Sequence, residues 1–144
     1  MMHPLDAALS KLSATVAEAK TNARHSRETA LLLALRAWLD CRSTPAWLKS
    51  PDTRDMLYIN PAYTEQFGIS YPEYGGHPDC DVWDDDTAER FCKNDLIVLA
   101  AGKEMEFVED VAGVLYRIRK WPASLDGVVL GVAGEVLEPV DAEH

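Results

Sequence analysis

The stretch HPDCDVWDDDTAERF, residues 77–91, concentrates groups that could do chemistry: Asp79, Asp81, Asp84, Asp85 and Asp86, with His77, Cys80 and Trp83 among them. Carboxylates invite a hard cation or acid–base work, and Cys with His invites zinc. The spacing meets neither demand. A calcium loop needs alternating oxygen ligands, a glycine at its sixth position and a glutamate at its twelfth. Counted from Asp79, the fifth position is Trp83, the sixth Asp84 and the twelfth Arg90. His77 and Cys80 make one ligand pair with no second. No metal site is expected, and a carboxylate-rich calcium or magnesium binder is the least supported reading. A structural role fits better: Asp84, Asp85 and Asp86 open a helix, where free backbone N–H groups and the positive end of the helix dipole favour carboxylates. No serine sits in a G-x-S-x-G elbow, and no G-x-G-x-x-G or Walker loop exists. Enzymatic activity is not expected.

The chain that must position these groups has 144 residues, 47% hydrophobic and 26% charged, which fits one globular domain with a helical extension. Apolar runs such as ALLLAL (30–35) are far shorter than the roughly 20 residues a bilayer requires. MMHPLDAALSK has neither a basic start nor an apolar core, so no signal peptide is expected. Cys41, Cys80 and Cys92 form no CxxC pair, which suits free thiols in a reducing cytoplasm. The net charge of −10 is uneven: +2 over residues 1–45 and −12 over 46–144. So acidic a body repels phosphate backbones, which argues against nucleic acid as a partner.

Residues 1–44 read as a helical dimerisation or capping segment, 45–138 as the folded body and 139–144 as a frayed tail. Between 5 and 42 there is no Gly or Pro. Leu5, Leu9, Leu12 and Val16 fall on a coiled-coil seam, which fades into Ala19, Ala23 and Ser26. A wider stripe, Leu31, Leu32, Leu35, Trp38 and Leu39, follows and suits docking on a globular surface. Leu5, Leu9, Leu12, Val16, Leu31, Leu35 and Trp38 are therefore the candidate dimer-helix residues. Ser26 could cap a second helix, so one helix or two remain open.

In the body, AWLKS (46–50) and MLYI (56–59) read as a strand pair, and PAYTEQFG (61–68) as a short helix capped by Asn60 and closed by Gly68. YPEYGG (71–76) reads as a turn. Residues 84–102 form the main helix, with Ala88, Phe91, Cys92, Leu96 and Leu99 as its buried stripe. Strands at 104–111, 114–121 and 125–138 follow, the second ended by Pro122, with Ala112-Gly113 and Asp126-Gly127 as tight turns. Glu106 and Glu109 are placed to pair across strands with Arg117 and Arg119. This order predicts an α+β fold: a five-stranded antiparallel sheet with helices on one face, preceded by a long helical segment.

Three pieces, in order, resemble the PAS domain family: WLKSPDTRDMLYINPAYTEQFG, then YGGHPDCDVWDDDTAERFCKNDLIVLAAGKEMEFVE, then RKWPASLDGVVLGVAGEVLE. The resemblance spans roughly residues 45–138. It implies a sheet in the order 2-1-5-4-3 cupped by helices, and a sensory or protein-interaction module, often dimeric through a preceding helix. The family's pocket lies between sheet and helices; mapped here, its candidates are Tyr58, Trp83, Phe91, Met105, Phe107, Tyr116 and Ile118, each of which could equally be plain core.

Cofactor subgroups are distinguishable by their residues. The light-sensing flavin subgroup carries Asn-Cys-Arg-Phe after the glycine equivalent to Gly76; GGHPDCDVW has Cys80 one residue off and no such motif. The haem subgroup needs a histidine on the helix at 84–101, and none is there. Covalent flavin and haem are not expected, which leaves a small metabolite or noncovalent flavin. The expected function is a cytoplasmic PAS sensor that dimerises through its N-terminal helix, binds a small ligand in the cup and signals to a separate partner. The alternative is a ligand-free assembly module with a filled core.

Overall fold

The computed structural model describes residues 22–23 and 25–140. Its contacts divide the chain into two units, 1–34 and 35–144. Of the candidate dimer-helix residues, Leu5, Leu9, Leu12 and Val16 lie outside the described residues. Residues 25–40 are one helical run, α1, with Ser26 inside it. In the first unit Leu31 is half-buried, while Leu33 is 60% exposed.

The second unit carries a five-stranded antiparallel sheet of β1 (Ala46–Lys49), β2 (Met56–Ile59), β3 (Met105–Val111), β4 (Val114–Leu125) and β5 (Val128–Pro139), ordered β2-β1-β5-β4-β3. Between β2 and β3 run α2 (Pro61–Phe67), α3 (Tyr71–Tyr74), a 3-10 turn (Asp79–Asp81) and α4 (Asp85–Ala101). The hairpins close where the sequence predicts. Ala112 and Gly113 have φ of 52° and 85°, Asp126 and Gly127 of 51° and 78°, the left-handed pairs that match strand twist. Pro122 does not end β4, which continues to Leu125. β3 stops at Met105, opposite Lys120, so at Pro122 only β5 is a partner and the missing N–H meets an open edge. YPEYGG, expected as a turn, contains the short helix α3, capped by Ser70.

α4 begins at its N-cap Asp84, whose carboxylate accepts from the Thr87 N–H at 2.7 Å and is thereby held below the usual aspartate range. Gly102 ends it in the left-handed conformation. Its buried face is Thr87, Ala88, Phe91, Asp95 and Val98, rotated from the expected stripe; Leu96 is 47% exposed and Cys92 only half-buried.

Asn60 ties three elements together. Its Oδ1 accepts from the N–H groups of Ala46 and Tyr63, and its Nδ2 donates to the carbonyls of Leu39 and Thr44. All four bonding positions of the buried amide are filled. On the outer face of the sheet, the Trp38 ring meets Trp121 edge-on at 5.6 Å. Beside them the buried Glu135 carboxylate accepts from Arg42 at 2.8 Å and from Arg119. Arg119 and Arg117 thus pair with Glu135, Glu104 and Glu138; Glu109 faces the other way.

Asn60→Ala leaves four backbone groups without these partners. Since an unsatisfied buried group costs about 1–3 kcal/mol, the expected loss is about 3 kcal/mol or more in urea unfolding. A loss below about 1 kcal/mol would contradict the role given to this side chain.

Candidate functional site

Period-two alternation turns Glu109, Val111, Ile118 and Lys120 of β3 and β4 toward the helices, and Trp47 and Lys49 of β1 join them. α4 adds Phe91 and Asp95, and the 3-10 turn adds Asp79. The result is a chain of alternating charges inside the cup. Lys49 Nζ lies 2.7 Å from Asp79 Oδ2 and 2.9 Å from Asp95 Oδ2. Lys120 Nζ lies 2.9 Å from Asp95 Oδ1 and 2.8 Å from Glu109 Oε2. Asn94 Nδ2 donates to the same Glu109 oxygen at 2.8 Å, and the Tyr74 hydroxyl donates to Asp79 Oδ1 at 2.5 Å. All five charged side chains are buried, Lys120 and Asp95 completely.

Burial opposes charge on Lys49, but Asp95 and Asp79 more than offset it and hold its pKa above the ordinary lysine value. Burial likewise opposes the Asp95 carboxylate, and Lys49 and Lys120 more than offset it, holding its pKa below the ordinary range. The Tyr74 hydroxyl is pushed up by burial, then by Tyr63 and Asp79, and stays a donor.

Beside this cluster lies a cavity of about 20 Å³, lined among others by Trp47, Tyr63, Tyr74, Phe91, Glu109 and Lys120. That is room for about one water molecule. Two polar atoms of its lining residues, Trp47 Nε1 and Glu109 Oε1, are buried without a hydrogen-bond partner among the described residues. Gly134 sets the position of the indole: a Cβ there would come within 2.4 Å of Trp47 Cζ2.

No protein-family model matches the sequence, and no curated protein is similar to it. Solved structures do match its architecture. The PAS domain of Bordetella pertussis BvgS superposes with a TM-score of 0.61 at 20% identity, covering 78% of this chain and 88% of that one. The phage VqmA–DPO complex gives 0.65 at 19%, covering 77% of this chain and 54% of that one. The Rhodobacter sphaeroides LOV protein gives 0.60 at 14%, covering 76% and 67%.

This is a PAS fold. Of the residues mapped onto the PAS pocket from sequence, Phe91 and Ile118 line the cavity. Tyr116 belongs to the core next to Phe67, at 6.0 Å between ring centroids. Trp83 is half-buried between Phe67 and Phe91 and donates to the Tyr63 hydroxyl at 3.3 Å. Met105 and Phe107 are half-buried on β3, with Phe107 5.9 Å from Lys120 Nζ. Tyr58 does not line the cavity: its hydroxyl donates to Asp40, and its ring packs on Tyr71 and under Arg36. Of the acidic stretch at 77–91, one carboxylate, Asp79, reaches the cluster; His77 pairs with Asp81 on the surface. Among the described residues, no His, Cys, Asp and Glu group is arranged to hold a metal, and no helix is long and apolar enough to cross a membrane.

Lys49, Asp79, Asp95, Glu109 and Lys120 were not among the pocket candidates, although Asp79 stood in the acidic stretch. Two of them carried a signal: Lys120 shares the parity of Tyr116 and Ile118, and Glu109 that of Phe107 and Val111.

Removing one partner of a buried ion cluster strands the others and costs about 3–5 kcal/mol. Asp95→Asn should therefore lose about that much stability in urea at neutral pH. The lowered folded pKa of Asp95 makes its contribution complete above about pH 4 and lost as pH falls through the folded value. The raised pKa of Lys49 makes its contribution complete below about pH 10.4 and lost as pH rises through the folded value. The gap between wild type and Asp95→Asn should narrow below about pH 4. A gap that is small at neutral pH, or that widens in acid, would contradict the bridging role.

Proposed function

We propose that the chain is a sensory PAS module that takes a small polar ligand in its cup, dimerises through the helical segment ahead of the fold and passes its state to a separate protein. The observation that carries the ligand reading is the buried pair of unpartnered polar atoms, Trp47 Nε1 and Glu109 Oε1, on residues lining one cavity. An unpaired buried polar group costs free energy unless a bound molecule, a ligand or a water, satisfies it. A ligand with one acceptor and one donor would satisfy both. The phage VqmA structure, similar in fold, is a complex with DPO.

Size bears on the ligand class. Pockets for drug-sized molecules enclose about 300–1,000 Å³. The cavity here, about 20 Å³, has room for about one water, so any larger ligand requires the cup to open. A ligand would act by differential affinity for two arrangements of the module. The contacts of Asn60 with Leu39 and of Glu135 with Arg42 give a route from the sheet to the end of α1.

A second reading is a ligand-free assembly module, and the small cavity favours it. Mass spectrometry of the intact protein before and after mild denaturation separates the two. Sensing predicts release of a small polar molecule, and a rise in melting temperature when it is added back in excess. No released molecule, and no melting shift across a panel of polar metabolites, would leave the assembly reading. In either case, deletion of residues 1–34 should convert a dimer to a monomer in light scattering, and a dimer that survives deletion would refute the role given to the helix.

A further inference from the structure

Outside the cup, two thiols share one surface cleft. The cleft, about 300 Å³, lies between the 3-10 turn and α4 and is lined by Cys80 from the turn and Cys92 from the helix, with Arg54, Asp85 and Glu89 beside them. We propose that Cys80 and Cys92 are a redox-active dithiol, oxidised by a hydroperoxide to a disulfide that joins the turn to α4. This site stands whether or not the cup takes a ligand.

The two thiol-bearing segments are held together by one ammonium group. Asp79, next to Cys80, and Asp95, about one helical turn beyond Cys92, both bind Lys49 Nζ, at 2.7 and 2.9 Å. Both cysteines are free, and they differ in access: Cys80 is exposed and Cys92 half-buried. That is the arrangement of an attacking thiol that meets the oxidant and a resolving thiol behind it. The cleft between them is closed by movement of the three-residue turn, while the longer α4 stays on the sheet. The lining charges are mixed, Arg54 with Asp85 and Glu89, and favour a neutral oxidant over the anionic disulfides of small thiols. Cys41, exposed at the end of α1, lines no part of the cleft.

The chemistry balances with hydrogen peroxide. The Cys80 thiolate attacks one peroxide oxygen, the O–O bond breaks, and a sulfenic acid forms as the other oxygen leaves as water. The Cys92 thiolate then attacks the sulfenic sulfur; the S–S bond forms, the S–O bond breaks, and the second oxygen leaves as water. Two thiols lose two electrons and two protons, and the peroxide takes up both. Because Asp79 adjoins Cys80, the new bond pulls on the carboxylate that holds Lys49 and Tyr74, so oxidation at the surface reaches the buried cluster.

The test is peroxide treatment of the full chain, then mass spectrometry of the intact protein and of its unreduced tryptic peptides. Trypsin cuts after Arg90, between the two cysteines, so the bridge appears as a linked peptide pair. The expected result is a single chain lighter by two hydrogens, with Cys80 linked to Cys92, restored by dithiothreitol and unchanged in Cys41→Ser. Cys80→Ser and Cys92→Ser should each abolish the link. Dimedone should trap a sulfenic acid on Cys80 in Cys92→Ser, with at least tenfold less on Cys92 in Cys80→Ser. Should a serine variant fail to fold, the wild-type peptide map still decides. Sulfinic acids on Cys80 and Cys92 with no link between them, a link that runs through Cys41, or two thiols still free when Cys41 is oxidised would each overturn the proposal.

Discussion

The second unit is organised around one carboxylate. Asp95, wholly buried on α4, holds Lys49 of β1 with one oxygen and Lys120 of β4 with the other. That bridge fixes the rotation of α4 over the sheet. The inward face keeps the apolar Ala88, Phe91 and Val98 beside Asp95, while Leu96, expected inside, is 47% exposed. Once Asp95 is inside, both lysines must be inside, and Asp79 and Glu109 follow as their second partners. The 3-10 turn is drawn in by Asp79, and Tyr74 is fixed by the same carboxylate. Such a cluster adds little net stability over an apolar core of the same shape, because desolvation offsets attraction. What it supplies is a polar interior whose charges fix α4, the 3-10 turn and the sheet to one another.

The two faces of the sheet are differently built. The inner face is a mixture of aromatic rings and buried charge. The outer face under the end of α1 joins Trp38, Trp121, Arg42, Arg119 and Glu135 into one contact, with both guanidinium groups about 5.0 Å from a tryptophan ring. β4 and β5 contribute to both faces, Lys120 inward and Arg119 outward being neighbours in sequence. A change in the cup that shifts β4 therefore moves a partner of α1. Asn60 adds a second link, from the start of α2 to the Leu39 carbonyl.

Much of the fold was legible in the sequence because turns and caps are local chemistry. Asn60-Pro61, Gly68, Asp84, Gly102 and the two left-handed hairpin pairs are written in residues whose backbone preferences are strong. On β3 and β4 the alternation of Phe107 and Val111, and of Tyr116 and Ile118, with polar neighbours is visible in the sequence. What was hidden is long-range. Nothing near Asp95 in sequence announces two lysines 46 and 25 residues away. A charge at a position of inward parity reads as a surface residue until its partners are known, which is why Glu109 was assigned to Arg117 and Arg119. The site candidates were chosen for apolar bulk, and so included Phe91 and Ile118 but passed over every charged group of the cup. Asp79 is the one residue of the acidic stretch that proved to be of this kind; its neighbours Asp84 to Asp86 start α4 as local rules dictate.

The proposed function makes the cup a ligand site rather than a filled core. A high-resolution crystal structure of the untreated protein tests this most directly. A bound ligand predicts a cup opened beyond its present room for about one water, with density for a larger molecule within hydrogen-bond distance of both Glu109 Oε1 and Trp47 Nε1. A cavity closed by repacking, with those two atoms bonded to side chains of the protein itself, would contradict it.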